Sequence, residues 1–320
     1  MKKQFNWGII GLGTVAHEWA QNFQNNDQQI LYAAASRNQT KAQNFCDQYN
    51  IPHAYNYEEI LNDTNVDIVY IATPHNLHYE QIKQSLNANK HVFCEKAITL
   101  NSQELLDVKK LAEEKELVLL EGTTLFYMPL SHKIKEIITC QKYGPLKMMQ
   151  VNFGSYKPYD PQNRFFNPNL AGGALLDIGV YALAACAYYM SEIPQVISTT
   201  MVPAPTNVDE MSTILLRNQA NELATVNLTF RAKMPKRCLI ALEEGYFEIY
   251  NYPRAQEATF TTHDGQITNI QVGNTSEAFP YEQQTMIDLI TSKKHNHYLD
   301  LSVAVMQMMD TCREMWQQND

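Results

Sequence analysis

The sequence carries no excess of basic charge. Its 25 Lys and Arg stand against 34 Asp and Glu, for a formal net charge of −9, and the basic residues are scattered. A nucleic acid or an anionic membrane surface needs a dense cationic face, so neither is an expected partner. No run of about 18 apolar residues reads as a membrane span. Lys2 and Lys3 lead through Gln4 and Asn6 into a glycine-broken strand, without the apolar core and cleavage site of a secretion signal, so a cytoplasmic protein is expected. The six cysteines lie far apart and form no metal-ligand pair, as expected of reduced thiols. His75 and His78 are three apart and His295 and His297 two apart, but no cysteine or carboxylate accompanies either pair at ligand spacing, and no metal is expected.

The most informative segment present is Trp7-Gly8-Ile9-Ile10-Gly11-Leu12-Gly13-Thr14-Val15-Ala16. It reads as a strand, a tight turn at Gly11, a close backbone approach at Gly13, and a helix whose first amides, at Thr14 and Val15, face an anion. Ala16 is small enough for helix–strand packing. A dinucleotide pyrophosphate is the expected guest. Ala16, Trp19, Ala20 and Phe23 share the helix's apolar face.

A chain of 320 residues with 45% hydrophobic content suits two domains. Strands near Phe5–Ile10, Ile30–Ala35, Ile68–Ala72, Val92–Cys94 and Leu117–Leu120 alternate with helical stretches such as Tyr79–Asn87 and Ser102–Lys115. This alternation predicts a Rossmann doubly wound parallel sheet over residues 1–122. Residues 123–320 read as an α+β domain. It opens with helices near Pro129–Gln141 and Ala174–Met190 and continues as a large, mostly antiparallel sheet. Ala224, Val226, Leu228 and Phe230 alternate with polar residues, and Asp264-Gly265 marks a hairpin. Two helices, near Tyr281–Lys293 and Leu301–Gln317, close the chain. The fold class is therefore α/β.

An NAD site places a carboxylate about twenty residues past the glycines, on the ribose hydroxyls. Here that position reads Ala35-Ser36-Arg37-Asn38, with Lys41 one turn on. A hydroxyl, a guanidinium and an ammonium suit a phosphate dianion, so NADP(H) is the preferred cofactor, with NAD(H) second.

Two further segments, Cys94-Glu95-Lys96-Ala97 and Leu170-Ala171-Gly172-Gly173-Ala174-Leu175-Leu176-Asp177-Ile178-Gly179-Val180-Tyr181, carry a resemblance. With the glycine turn and Ala72-Thr73-Pro74-His75-Asn76-Leu77-His78, they resemble the Gfo/Idh/MocA oxidoreductases, NAD(P)-dependent dehydrogenases of sugars, cyclitols and related polyols. The family usually has Glu-Lys-Pro where this chain has Glu95-Lys96-Ala97, and often Asp and His four apart where this chain has Asp177 and Tyr181. The tyrosine, with Arg164-Phe165-Phe166-Asn167-Pro168 upstream, is most similar to the branch of dihydrodiol and NADP-dependent D-xylose dehydrogenases. The resemblance implies that Thr73, Pro74, Asn76 and His78 line the nicotinamide-side ribose, with His78 as a bare first-turn residue the alternative, and Glu95 and Lys96, beyond a strand's carboxyl end, join them as expected cofactor contacts. It also implies a homodimer or larger homo-oligomer.

Alcohol oxidation removes a hydride from carbon and a proton from oxygen. Asp177 and Tyr181 are four apart and share a helix face, and Gly172-Gly173 would let the preceding backbone approach a ligand. A phenol whose pKa is lowered by an ammonium can take the proton. Tyr181 is thus the expected general acid/base, Lys96 its activator and a donor to the reacting oxygen, and Asp177 an orienting group. Arg164 and Tyr156 are candidate substrate contacts. A cofactor-binding sensor and an NAD-dependent glycosidase on the same scaffold are the alternatives.

Overall fold

The computed structural model describes residues 4–318, which form two compact units. The first runs to Gly122 and takes in Phe279–Leu299. The second comprises Thr123–Ala278 and the chain from Asp300 onward. A single cut into 1–122 and 123–320 is therefore corrected for Phe279–Leu299, whose Phe279, Met286 and Ile287 are buried. Periodicity reveals that this segment is a helix but not which core its apolar face joins.

In the first unit β1 (Phe5–Ile10), β2 (Gln29–Ala35), β3 (His53–Tyr55), β4 (Ile68–Ile71), β5 (His91–Cys94) and β6 (Leu119–Glu121) form one sheet in the order β3-β2-β1-β4-β5-β6. Every pairing is parallel. Helices α1 (Thr14–Gln21), α2 (Gln39–Tyr49), α3 (Tyr57–Asn62), α4 (His78–Asn87) and α5 (Ser102–Glu114) lie between the strands in sequence. All four residues of β4 are buried, as in a sheet covered on both faces. Strand order reverses between β1 and β4, whose carboxyl ends lead to Gly11 and Thr73, and ligands bind at such a switch point. α1 is pinned by Ala16, Trp19 and Ala20, all buried. Trp19 stacks on Tyr70 with centroids 4.4 Å apart, and Trp7 lies 5.3 Å from Trp19.

The second unit holds α6 (Pro129–Thr139), β7 (Leu146–Gly154), α7 (Val180–Tyr189), β8 (Gln195–Pro203), β9 (Asp209–Arg217), β10 (Leu223–Thr229), β11 (Met234–Leu242), β12 (Gly245–Tyr250), β13 (Glu257–Thr262) and β14 (Ile267–Gln271). The eight strands order as β14-β13-β12-β11-β7-β10-β9-β8. All pairs are antiparallel except β7 with β10. Val151, Phe153, Ala224, Val226 and Leu228 face inward and are buried. On the other face Asn227 donates to Asn152 at 3.1 Å and accepts from Thr213 at 3.0 Å, a polar ladder across three strands. Helices α8 (Ala278–Ser292) and α9 (His297–Gln318) end the fold.

One further expectation is corrected. Pro168–Tyr189 spans 22 residues and is long and apolar enough to cross a membrane by composition, although no such run was expected. Its most apolar stretch is 72% buried within the protein, and every residue of α7 except Tyr181 is buried. A helix apolar all round is what a core position against β7 and β10 requires.

Candidate active site

The glycine turn has the shape its sequence implies. Gly11 adopts φ +91°, and a Cβ there would lie 2.5 Å from Thr73 Cγ2 and 2.8 Å from the Thr73 amide nitrogen, so only glycine fits. Gly13 faces open space, with nothing within 4 Å of a Cβ position. α1 starts directly after it with no side-chain cap and no acid in its first turn. The amides at Thr14 and Val15 are therefore not taken up by a capping side chain, and a pyrophosphate fits them.

At the end of β2, Ser36 is buried while Arg37 and Lys41 are exposed. Asn38 caps α2, its side chain accepting from the Lys41 amide at 3.0 Å, and its own amide donates to Ser36 Oγ at 3.2 Å. Beside them a cavity of about 290 Å³ is lined by Asn38, Thr40, Lys41, Asn44, Phe45 and His17. His17, not singled out in the sequence, points Nδ1 at the Tyr49 hydroxyl at 2.9 Å. Another cavity, about 510 Å³ and lined by His91, Leu117, Leu289 and Lys293, lies instead at the amino ends of β5 and β6, the wrong end of a parallel sheet for a nucleotide.

Thr73 bonds Gln81, and exposed Pro74 and Asn76 begin a short 3-10 turn. His78 departs from its assignment among cofactor-lining residues. It is fully buried, with Nδ1 2.9 Å from the Ala97 carbonyl and Nε2 2.8 Å from the Thr73 carbonyl. Burial outweighs those bonds and lowers its pKa. His78 thus joins the loops of Thr73 and Ala97, a role its position in the first turn of α4 could not disclose.

Lys96 lies two residues past the end of β5 and is partly exposed. The Lys96–Ala97 peptide is cis. Ala97 is buried, and the Ile98 amide donates to Glu121 Oε1 at 2.9 Å. Glu95 accepts from the Tyr70 hydroxyl at 2.6 Å. Burial first, and then Glu95, push that hydroxyl well above the ordinary tyrosine range. The neighbouring Cys94 thiol is likewise pushed well up by burial and by Glu95 and Glu121. Sequence reasoning missed Glu121; its signal is an acid at the carboxyl end of an otherwise apolar strand.

In the second unit Asp177 lies in a π-helical turn, Leu175–Gly179, that runs into α7, and Tyr181 is in the first turn of α7. The wider turn, with bonds from i to i+5, still keeps residues four apart near one face. Arg164 Nη2 stands 3.6 Å from Asp177 Oδ1, the arginine side chain being 56% exposed and the aspartate 13%. Arg164 also lies over the Phe165 ring, and Tyr156 is exposed. The Tyr181 ring stacks on Phe153 at 6.0 Å, with the Lys236 ammonium 4.8 Å from that ring's centroid. Tyr252 meets Phe153 edge-on at 6.4 Å. Phe153, Lys236 and Tyr252 are residues the sequence did not point to, because strand alternation marks Phe153 only as core.

The glycine pair is corrected. A Cβ at Gly172 would lie 2.9 Å from the Phe165 carbonyl, and one at Gly173, whose φ is +124°, 2.3 Å from Asp209 Oδ1. The glycines admit the protein's own backbone and a carboxylate rather than a ligand. Among the described residues no group of three or more His, Cys, Asp or Glu is placed to hold a metal.

A Rossmann sheet with an open glycine turn, a lysine beyond β5 and a Tyr/Asp pair opening a helix above a large sheet define a nucleotide-dependent oxidoreductase. Residues 5–123 match the oxidoreductase family with an NAD-binding Rossmann fold, and residues 131–248 match the GFO/IDH/MocA C-terminal domain. The chain belongs to the Gfo/Idh/MocA oxidoreductase family. It is 30% identical over 247 residues to trans-1,2-dihydrobenzene-1,2-diol dehydrogenase of Danio rerio, covering 76% of this chain and 73% of the relative. It is also 30% identical over 256 residues to D-xylose 1-dehydrogenase (NADP(+)) of Hypocrea jecorina, covering 71% and 65%. Among solved structures, KijD10, a 3-ketoreductase from Actinomadura kijaniata in complex with NADP and TDP-benzene, shares the fold with TM-score 0.86 at 20% identity, over 98% of both chains. The aldose-aldose oxidoreductase of Caulobacter crescentus, complexed with glycerol, does so with TM-score 0.87 at 20% identity, over 99% of both.

Proposed function

We propose that this protein is an NADP-dependent dehydrogenase that oxidises a hydroxyl of a sugar or vicinal diol. The observation that carries the reading is the Lys96 turn, whose backbone is held on both following residues, Ala97 by His78 and Ile98 by Glu121. A merely solvated lysine has no need of a buried scaffold. The two relatives named above, a diol and a sugar dehydrogenase, support the substrate class.

Gly11, Gly13, Thr14 and Val15 would hold the cofactor's pyrophosphate, Ser36, Arg37 and Lys41 its 2′-phosphate, and Thr73, Pro74, Asn76 and Glu95 its other half. When bound, the cofactor supplies the hydride acceptor. We assign Tyr181 to take the hydroxyl proton and Lys96 to hydrogen-bond the reacting oxygen and favour the phenolate. Asp177, with Arg164 beside it, orients neighbouring substrate hydroxyls, and Tyr156 adds a contact. Self-association through the outer sheet face, where Met148, Tyr246 and Tyr250 are exposed, fits a homo-oligomer in the cytoplasm.

A screen of sugars, inositols and vicinal diols for NADPH formation tests the activity. Tyr181→Phe and Lys96→Ala should each remove most turnover, a loss of roughly 10²–10⁴-fold, while NADP binding measured by calorimetry stays within a few-fold. Wild-type rates in both variants would end the assignment.

A further inference from the structure

One inward-turned carboxyl of the second unit has no part in the mechanism above. Asp209, the first residue of β9, accepts a hydrogen bond from the Leu175 amide at 2.6 Å through Oδ2, and the Ala174 amide also donates to it. These amides open the helical segment that carries Asp177 and then Tyr181. Gly173 stands immediately before them, and a Cβ at that position would occupy the space of Asp209 Oδ1. Glycine and carboxylate are thus two parts of one device: the first makes room, the second ties down the amides.

We infer that Asp209 is a positioning residue for the reaction, its ionised carboxylate fixing the amino end of the helix that presents Asp177 and Tyr181, and its protonation releasing that end. The functional half of this inference rests on the roles proposed above for those two side chains. A carboxylate accepts on both oxygens, whereas the acid commits one oxygen as a donor and leaves an amide poorly served.

The charges around the carboxyl come from three elements. Arg313 and Cys312 approach from α9, Arg313 itself being held by Asp310 at 3.1 Å. Asp177 lies on the helix and is paired with Arg164, and the adjacent Glu210 is 3.4 Å from Arg231. Burial pushes the Asp209 carboxyl up to about 7, against the amide bonds and Arg313, which pull it down. The change of charge therefore falls in the neutral range.

The test uses the full chain and Asp209→Asn, which keeps the side chain's size and does not titrate. Because the folded-state value lies above the ordinary 3.8, the stability this group confers is greatest at low pH and is lost as pH rises through about 7. The wild-type Tm minus that of Asp209→Asn should fall between about pH 5 and about pH 7 and then level off. Release of the helix end takes the amide bonds from Asp209 but leaves its carboxyl buried, so hydrogen exchange of residues 174–181 in the wild type, corrected for intrinsic rate, should quicken as pH drops through about 7, even while the whole fold gains stability from the buried acid. With a substrate in hand, wild-type kcat should rise through the same ionisation. Asp209→Asn should lack that limb and run roughly ten- to a hundredfold slower at the alkaline plateau, with KM for NADP little changed. Parallel melting curves, flat exchange, or an acid limb that persists unmoved in Asp209→Asn would each overturn the inference. If no substrate is turned over, the functional reading fails by itself, and exchange and melting still decide the role of Asp209.

Discussion

The imidazole of His78 and the carbonyl of Ala97 meet at 2.9 Å inside the first unit, with the carbonyl of Thr73 on the opposite ring nitrogen at 2.8 Å. Both partners accept, so a neutral ring serves one carbonyl at a time and a protonated ring serves both. Burial lowers the folded-state pKa below the ordinary 6.5. The stability His78 confers is therefore present above that value and lost as pH falls. Thermal melting of His78→Gln between about pH 7 and about pH 5 should show a shallower loss than the wild type. A slope equal to that of the wild type would remove the titration from this site. The variant should also lower kcat more than it alters KM, because it loosens the Lys96 turn from behind.

On the function proposed above, cofactor choice rests on Ser36 and Arg37. Removing a charge-assisted bond of about 1.5–3 kcal/mol should raise the Kd of Arg37→Ala for NADP roughly ten- to a hundredfold and leave NAD nearly unchanged. Ser36→Asp should repel the 2′-phosphate and turn the preference toward NAD. Fluorescence titration with both nucleotides checks this, and an unaltered NADP/NAD ratio in both variants would contradict it.

Gly11 and Gly13 should fail in different ways. Gly11→Ala forces a side chain onto Thr73 at φ +91° and should cost about 1–3 kcal/mol of stability, seen as a lower Tm. Gly13→Val meets only open space and should cost about 1 kcal/mol through its poorer helix cap, yet abolish nucleotide binding by filling the anion's approach. Retained NADP affinity in Gly13→Val would place the pyrophosphate elsewhere.

Glu121 holds the Ile98 amide at 2.9 Å while only 2% exposed. Glu121→Ala leaves a buried donor unsatisfied and should cost about 1–3 kcal/mol. Because the lost contact lies two residues from Lys96, kcat should fall several-fold beyond what partial unfolding explains. A kcat unchanged per folded molecule would show that the turn holds without it.

Much of this protein is legible in its sequence, for identifiable reasons. The alternation of apolar runs with helical stretches yields the parallel sheet, and the Gly11–Gly13 spacing yields the turn, because both depend on local chemistry. The Asp264-Gly265 signal finds the β13–β14 hairpin, with Gly265 at φ +87°. His78, Glu121 and Asp209 escape because each acts on a backbone group distant in sequence: Ala97 from His78, Ile98 from Glu121, Leu175 from Asp209. A polar side chain's target is decided by packing, and no spacing rule carries it. The Gly172-Gly173 pair shows the reverse case. Its need for room was plain, but what fills the room, Asp209 and the Phe165–Asn167 backbone, came from elsewhere in the chain.

The return of Phe279–Leu299 to the first unit sets an order of events during synthesis. Gln283 sits fully buried with Gln29 as its bonding partner, 254 positions earlier. The nucleotide-binding half cannot close its core when its own six strands have left the ribosome. It must wait until nearly all of the other half has been made, so a gene fragment ending at Gly122 should yield an incomplete, aggregation-prone sheet rather than an autonomous binding module.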